Sequence, residues 1–135
     1  MRDALQAVSQ RAAFNRWAGF DVVRAGGGEA ELRAPWRDEM GQYAGFLHAG
    51  LIAALLDTAC GFAAASVAGN VMASHFSVNC LAPAGGQAFI ARARVVKAGR
   101  KQVFATAELF AESEGEEKLV ATGNAILVPV AAAAG

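Results

Sequence analysis

Two cysteines, three prolines, one tyrosine and two histidines are all that this 135-residue chain has of those residues, and each scarcity excludes something. Cys60 and Cys80 stand in apolar surroundings with no CxxC and no metal-ligand spacing, which rules out a disulfide framework and a zinc site. Two reduced thiols in a cytoplasmic protein are the expectation. Charge is sparse at 18% and balanced, with 12 basic and 12 acidic residues, so no global field draws the chain to nucleic acid or to an anionic membrane. The opening MRDALQAVSQR has no apolar signal core. What the chain has instead is hydrophobic content of 55%, enough for one compact domain over residues 1–135 and for further burial through self-association.

The apolar residues are organised by two different periods. Leu5, Val8, Ala12 and Trp17 have helical spacing, which predicts a short leading helix over 3–17. Runs 19–25 and 29–35 flank Gly26-Gly27-Gly28, and the freedom of glycine at positive φ predicts a hairpin there. A loop then leads to a long helix, FLHAGLIAALLDTACGFAAA and onward, which Gly69-Asn70 stops. Strands are predicted over 71–81, 87–97, 101–111 and 117–128, and the terminal AAAAG reads as a frayed tail. The fold class is α+β.

The long helix is apolar enough to raise a membrane span. Asp57 at its midpoint argues against one, since a carboxylate there costs about 2.5–3.5 kcal/mol. On a helical wheel Leu51, Ile52, Leu55, Leu56, Phe62 and Val67 share one side, predicted to pack on the sheet. Gly50, Ala53, Ala54, Asp57, Gly61, Ala64 and Ala68 form an opposite stripe of small residues around the acid, with room for a substrate or a second copy of the helix. His48 precedes the helix, and the first amides, those of Ala49 and Gly50, present N–H groups and the positive end of the macrodipole to any oxyanion. Asp57 lies nine residues further on, about 13 Å along the axis at about 1.5 Å per residue. One small reacting group cannot touch both ends within one chain. Two chains with antiparallel helices across a two-fold axis would bring each acid to the other's helix start.

GQYAGFLHAGLIAALLDTACG, with FSVNCLAPA and ARARVVKAGRK further on, resembles the hotdog-fold thioesterases, and most nearly the phenylacetate-degradation (PaaI-like) acyl-CoA thioesterases, over about residues 15–128. The resemblance implies a long central helix wrapped by a six-stranded antiparallel sheet, with a short N-terminal helix, assembled as homodimers and often as dimers of dimers. It implies hydrolysis of an acyl-CoA, with Asp57 as nucleophile or general base, His48 and Gln42 as the upstream polar pair and the Ala49 amide as oxyanion donor. No metal or redox cofactor is implied, coenzyme A being part of the substrate. Ala49 stands where the family usually has glycine. Gly61 and Ala73 stand where many members have a Ser or Thr helper, which leaves Thr58 and Ser74 as stand-ins.

Arg92, Arg94, Lys97, Arg100 and Lys101 gather on one hairpin, either as a solvated face or, in part, as a grip on coenzyme A phosphates. Without interleaved aromatics the cluster does not suit nucleic acid. Phe46, Phe62, Trp36 and Tyr43 are candidates for an acyl pocket or for core. The plainer alternatives are a structural Asp57 paired with an arginine or capped by a hydroxyl, and a His48 that only caps the helix. Two functional rivals are a non-catalytic acyl-CoA-binding module, which would not need the acid, and a hotdog hydratase or dehydratase.

Overall fold

The computed structural model describes residues 1–131, so most of the alanine tail lies outside the described residues. The chain opens with two short helices, α1 (Arg2–Arg11) and α2 (Ala13–Ala18), instead of the single helix expected over 3–17. Ala12 takes an extended conformation (φ −89°, ψ 118°) between them, and its N–H donates to the Ser9 carbonyl. The Asn15 side-chain amide donates to the Ser9 hydroxyl across the break at 3.1 Å, a tertiary pairing that overrides the helix propensity of the alanine-rich stretch.

Strands β1 (Asp21–Gly26) and β2 (Glu29–Pro35) follow, joined through Gly27 and Gly28 at φ 60° and 84°. Only glycine adopts such a turn without strain, and two central residues at positive φ match the twist of the flanking strands. A single 3₁₀ turn, Asp38–Met40, precedes the long helix α3 (Ala49–Ala68). The remaining strands are β3 (Val71–Cys80), β4 (Ala88–Ala98), β5 (Val103–Ser113) and β6 (Glu116–Pro129). All pairings are antiparallel, in the spatial order β1-β2-β4-β5-β6-β3. The expected hotdog arrangement of one long helix against six strands is what forms.

Alternation decides which face of the sheet meets the helix. Ala30, Leu32 and Ala34 of β2, Phe89, Ala91 and Ala93 of β4, and Val103, Ala105, Ala107 and Leu109 of β5 are all buried, and most are alanine. α3 can therefore lie close to its sheet. At Gly123 a Cβ would come within 3.3 Å of Leu56 and 3.1 Å of the Ser77 carbonyl, so the missing side chain is what lets Leu56 settle onto β6.

The buried residues of α3 are Ile52, Leu55, Leu56, Ala59, Cys60, Ala63 and Ala64. That corrects the wheel drawn from the sequence: Leu51 and Phe62 are only partly buried, Val67 is exposed, and Ala64, placed in the open stripe, is fully covered. The helix buries the row its axis sets against the sheet, regardless of bulk, and sorting by side-chain size misplaced the boundary of that row. The helix is long and apolar enough to cross a membrane, but it packs as the core helix of this sheet.

The two sheet edges differ. β1 is six residues long and α1 covers it: Arg2 Nε donates to the Val22 carbonyl at 2.7 Å and the Val22 N–H donates to Gln6 Oε1 at 2.8 Å. β3 is ten residues long, exposed along most of its length, and contains no Asp, Glu, Lys or Arg. Long uncharged edges are what proteins ordinarily avoid leaving unpaired.

Candidate active site

Asp57 sits two turns into α3, half-buried, on the wall of a cavity of about 310 Å³. Thr58 and Gly61 share that wall, with Val71 and Ala73 of β3 at one side. A crevice on the other side of the acid is bounded by Phe76, Ser77 and Val78, so Asp57 lies where α3 meets the open β3 edge. Among the described residues Asp57 has no hydrogen bond and no ion pair, so neither an arginine nor a hydroxyl of its own chain pairs with it. Burial raises its pKa above the ordinary carboxylate value. Nearby Cys60 is pushed up to about 12, first by burial and then by the Asp57 charge, so its thiol is inert.

His48 is the N-cap of α3, and its Nδ1 accepts the Gly50 N–H at 2.8 Å. The capping alternative is therefore correct as far as it goes, and it corrects the reading of Gly50 as a second oxyanion donor, because that N–H is already used. A Cβ at Gly50 would stand 3.0 Å from Nδ1, so glycine here makes room for the cap. The Ala49 N–H has no acceptor among the described residues and stands at the exposed helix start. Gln42 is fixed by its own loop: its Oε1 accepts from the N–H groups of Ala44 and Phe46, and its N–H donates to the Phe46 carbonyl at 2.8 Å. Its side-chain NH₂ is left as the available donor. Gln42, His48 and Ala49 line a second cavity with Phe46 and Cys80.

The two cavities share no residue. Within one chain the acid and the helix-end donors are apart, as the axial separation of about 13 Å requires. Thr58 and Gly61 lie beside Asp57, as does Phe62, while Phe46 and Tyr43 line the other cavity and Trp36 packs on Phe89. Ser74 is not with the acid. It occupies a bulge between Ala73 and His75, its hydroxyl 3.4 Å from the Ile126 carbonyl, and it is Ala73 that lines the cavity.

The basic hairpin does not act as one cluster. Arg92 is committed: Nε donates to Glu31 at 2.8 Å, the two terminal nitrogens make a bidentate pair with Glu117 at 2.8 and 2.9 Å, and the guanidinium lies over Phe110 at 4.9 Å. Those hydrogen bonds, with Glu117 first, raise the Arg92 pKa and lower that of Glu117. Its assignment to substrate phosphates is corrected on that ground. Arg94, Lys97, Arg100 and Lys101 are exposed and carry no ion pair among the described residues.

Sequence reading gave no role to the N-terminal segment, yet Leu5, Val8, Ser9, Ala12 and Asn15 form the wall facing Asp57. The available signal was Ser9, a hydroxyl set in the apolar face of an otherwise polar helix and buried to 1% exposure.

Residues 44–118 match the thioesterase superfamily. The chain is similar to a thioesterase family protein from Silicibacter pomeroyi, at 38% identity and a TM-score of 0.89 over 92% of this chain and 93% of that one. It is also 39% identical over 89 residues to a protein of Halobacterium salinarum that carries the name of an esterase, spanning 60% of this chain and 58% of the relative's length. The E. coli PaaI protein of the phenylacetic acid degradation operon, at 21% identity, shares the fold, with a TM-score of 0.85 over 93% of this chain and 89% of that one. An antiparallel sheet around one acid-bearing helix and a match to more than half of its length lead to one conclusion: the chain belongs to the thioesterase superfamily and has its hotdog fold.

Proposed function

We propose that this protein is an acyl-CoA thioesterase acting on small or medium acyl or aryl thioesters, at a site that two copies of the chain complete. The observation that carries the proposal is Asp57: a half-buried carboxylate with no partner among the described residues, open to a cavity and beside an unpaired sheet edge. An unpaired charge held partly out of water costs stability, and a family of hydrolases gives it a use.

Pairing β3 with β3 of a second copy would continue the sheet and protect the uncharged edge. It would also set the two α3 helices antiparallel, bringing the partner's helix start towards Asp57. In that arrangement the Ala49 N–H at the positive end of the helix holds the thioester carbonyl oxygen, the role of an oxyanion donor. His48 and Gln42 offer further donors to the same oxygen or to the thiol leaving group. Asp57 then either takes a proton from water as the water oxygen bonds to the carbonyl carbon, or attacks that carbon itself. In both routes the C–S bond breaks and coenzyme A leaves as thiolate, which takes the proton held on Asp57 in the first route and a proton from solvent water in the second. In the second, a mixed anhydride remains for water to cleave. Of the hairpin cations without an ion pair among the described residues, Arg94, Arg100 and Lys101 are the ones assigned to the phosphates of the coenzyme.

The test is to incubate purified protein with a panel of acyl-CoAs and follow free thiol, with Asp57→Ala and Asp57→Asn alongside. Both variants should lose at least about 10²-fold in turnover while eluting as the parent does on size exclusion. Undiminished hydrolysis by either would remove Asp57 from the mechanism.

A further inference from the structure

The N-terminal segment lies outside the stretch that matches the family, which begins at residue 44, yet it closes the cavity beside the acid. α1 and α2 are held firmly where they do so. Arg2 and Gln6 tie α1 to both polar groups of Val22, the Asn15 amide is bonded to Ser9, and at the end of α2 the Arg37 guanidinium donates to the Trp17 carbonyl and lies 5.0 Å from its ring centroid. Opposite this wall stands Gly61, where an added Cβ would meet nothing within 4 Å, so the space beside Asp57 is open and unfilled by packing. Leu5, Val8 and Ala12 on one side and Phe62 on the other give the lining its apolar part, Ser9, Asn15, Thr58 and Asn70 add neutral polar groups, and among the described residues Asp57 is its only ionisable group. A volume of about 310 Å³ is at the small end of ligand pockets, which run from about 300 to 1,000 Å³.

We propose that the cavity between the α1–α2 pair and α3 receives the acyl portion of the substrate, a compact apolar group of phenyl or medium-chain size, and that Val8 and Ala12 set its upper limit. This rests on the thioesterase reading above and deepens it. The carboxylate at the rim of the cavity is where the carbonyl carbon must come, so the acyl group beyond that carbon has this apolar space to enter. Selectivity among acyl groups then resides in a segment separate from the catalytic helix, and it can change without disturbing the chemistry.

Val8 and Ala12 are both exposed towards the cavity, so bulk can be added at either without opening the core. Val8→Trp and Ala12→Trp are compared with Ala7→Trp, an exposed α1 position outside the cavity lining. Against acetyl-, hexanoyl-, octanoyl- and phenylacetyl-CoA, the ratio of kcat/KM for the larger acyl groups to that for acetyl-CoA should fall by at least about tenfold in the first two, and hold in the third. A uniform loss across the panel, or an unchanged ratio, overturns the proposal. Affinities for the matching non-hydrolysable thioethers, measured by calorimetry, separate this result from the reading beneath it. A parent protein that hydrolyses nothing refutes the thioesterase, whereas thioether affinities that ignore acyl size in parent and variants alike refute the acyl wall.

Discussion

If the reacting groups come from two chains, two dead variants should rescue one another, and the size of the rescue follows from geometry. Asp57→Asn removes the carboxylate at little change in volume, and loss of such a base costs about 10²–10⁴ in rate. Ala49→Pro removes the other half. Ala49 is the first residue of α3, where proline is favoured because its missing N–H has no helical acceptor. His48 at φ −61° and ψ 137° already has the extended conformation that the residue before a proline requires. The substitution therefore deletes the proposed oxyanion donor with the helix intact, at an expected cost of about 10²–10³ in kcat. The acid of one chain is about 12 Å along the helix from its own first amide and would belong, in the proposed dimer, to the other's. In a mixed dimer one site then carries both defects and its twin carries neither. Random assortment gives half mixed dimers, each half active, so the mixture should recover about a quarter of parental activity, at least about 25-fold above either variant alone. The assay is thiol release from the two proteins co-expressed, against each expressed singly. A mixture no faster than the mean of its components would place both groups in one chain, or neither in the reaction, and would refute the shared site.

Three other outcomes follow from the same geometry. Burial raises the Asp57 pKa, and only the ionised acid can act as base or nucleophile, so kcat/KM should fall with acidification through a pKa above the ordinary aspartate value of about 3.9, where an exposed acid would titrate. A pH–rate profile flat down to that value would contradict it. Gly50→Ala brings a methyl to 3.0 Å from His48 Nδ1 and should cost about 1 kcal/mol in urea unfolding through loss of the cap, with a fall in kcat. Unchanged stability and rate would show that the cap has slack. Arg92→Ala breaks partly exposed pairs with Glu31 and Glu117 and should lower stability by at most about 1 kcal/mol while leaving the KM for acyl-CoA unchanged. Arg100→Ala with Lys101→Ala should raise that KM at low salt. A raised KM from Arg92→Ala would restore that residue to the substrate.

Much of this architecture can be read from the chain because alternation and glycine are strong local signals. The second strand, 29–35, is found with its expected bounds, and the triple glycine turns where its conformational freedom says it should. Asp57 could be singled out because one acid in an apolar helix has few explanations. What could not be read depends on neighbours distant in sequence. The break at Ala12 comes from Ser9 meeting Asn15, and the bulge at Ser74 slips the strand by a residue. The engagement of Arg92 depends on Glu31 and Glu117, two strands that the sequence does not announce as its neighbours. The Gly50 amide looked free only because the cap's orientation is a matter of side-chain geometry.

That cap has a further consequence for His48. With Nδ1 accepting from Gly50, the lone pair on that nitrogen is spoken for, and a neutral imidazole must carry its hydrogen on Nε2. The tautomer is thus dictated by the backbone. Such a ring has no basic nitrogen to spare, so in the proposed reaction His48 would meet the thioester as a hydrogen-bond donor and leave proton abstraction to a carboxylate.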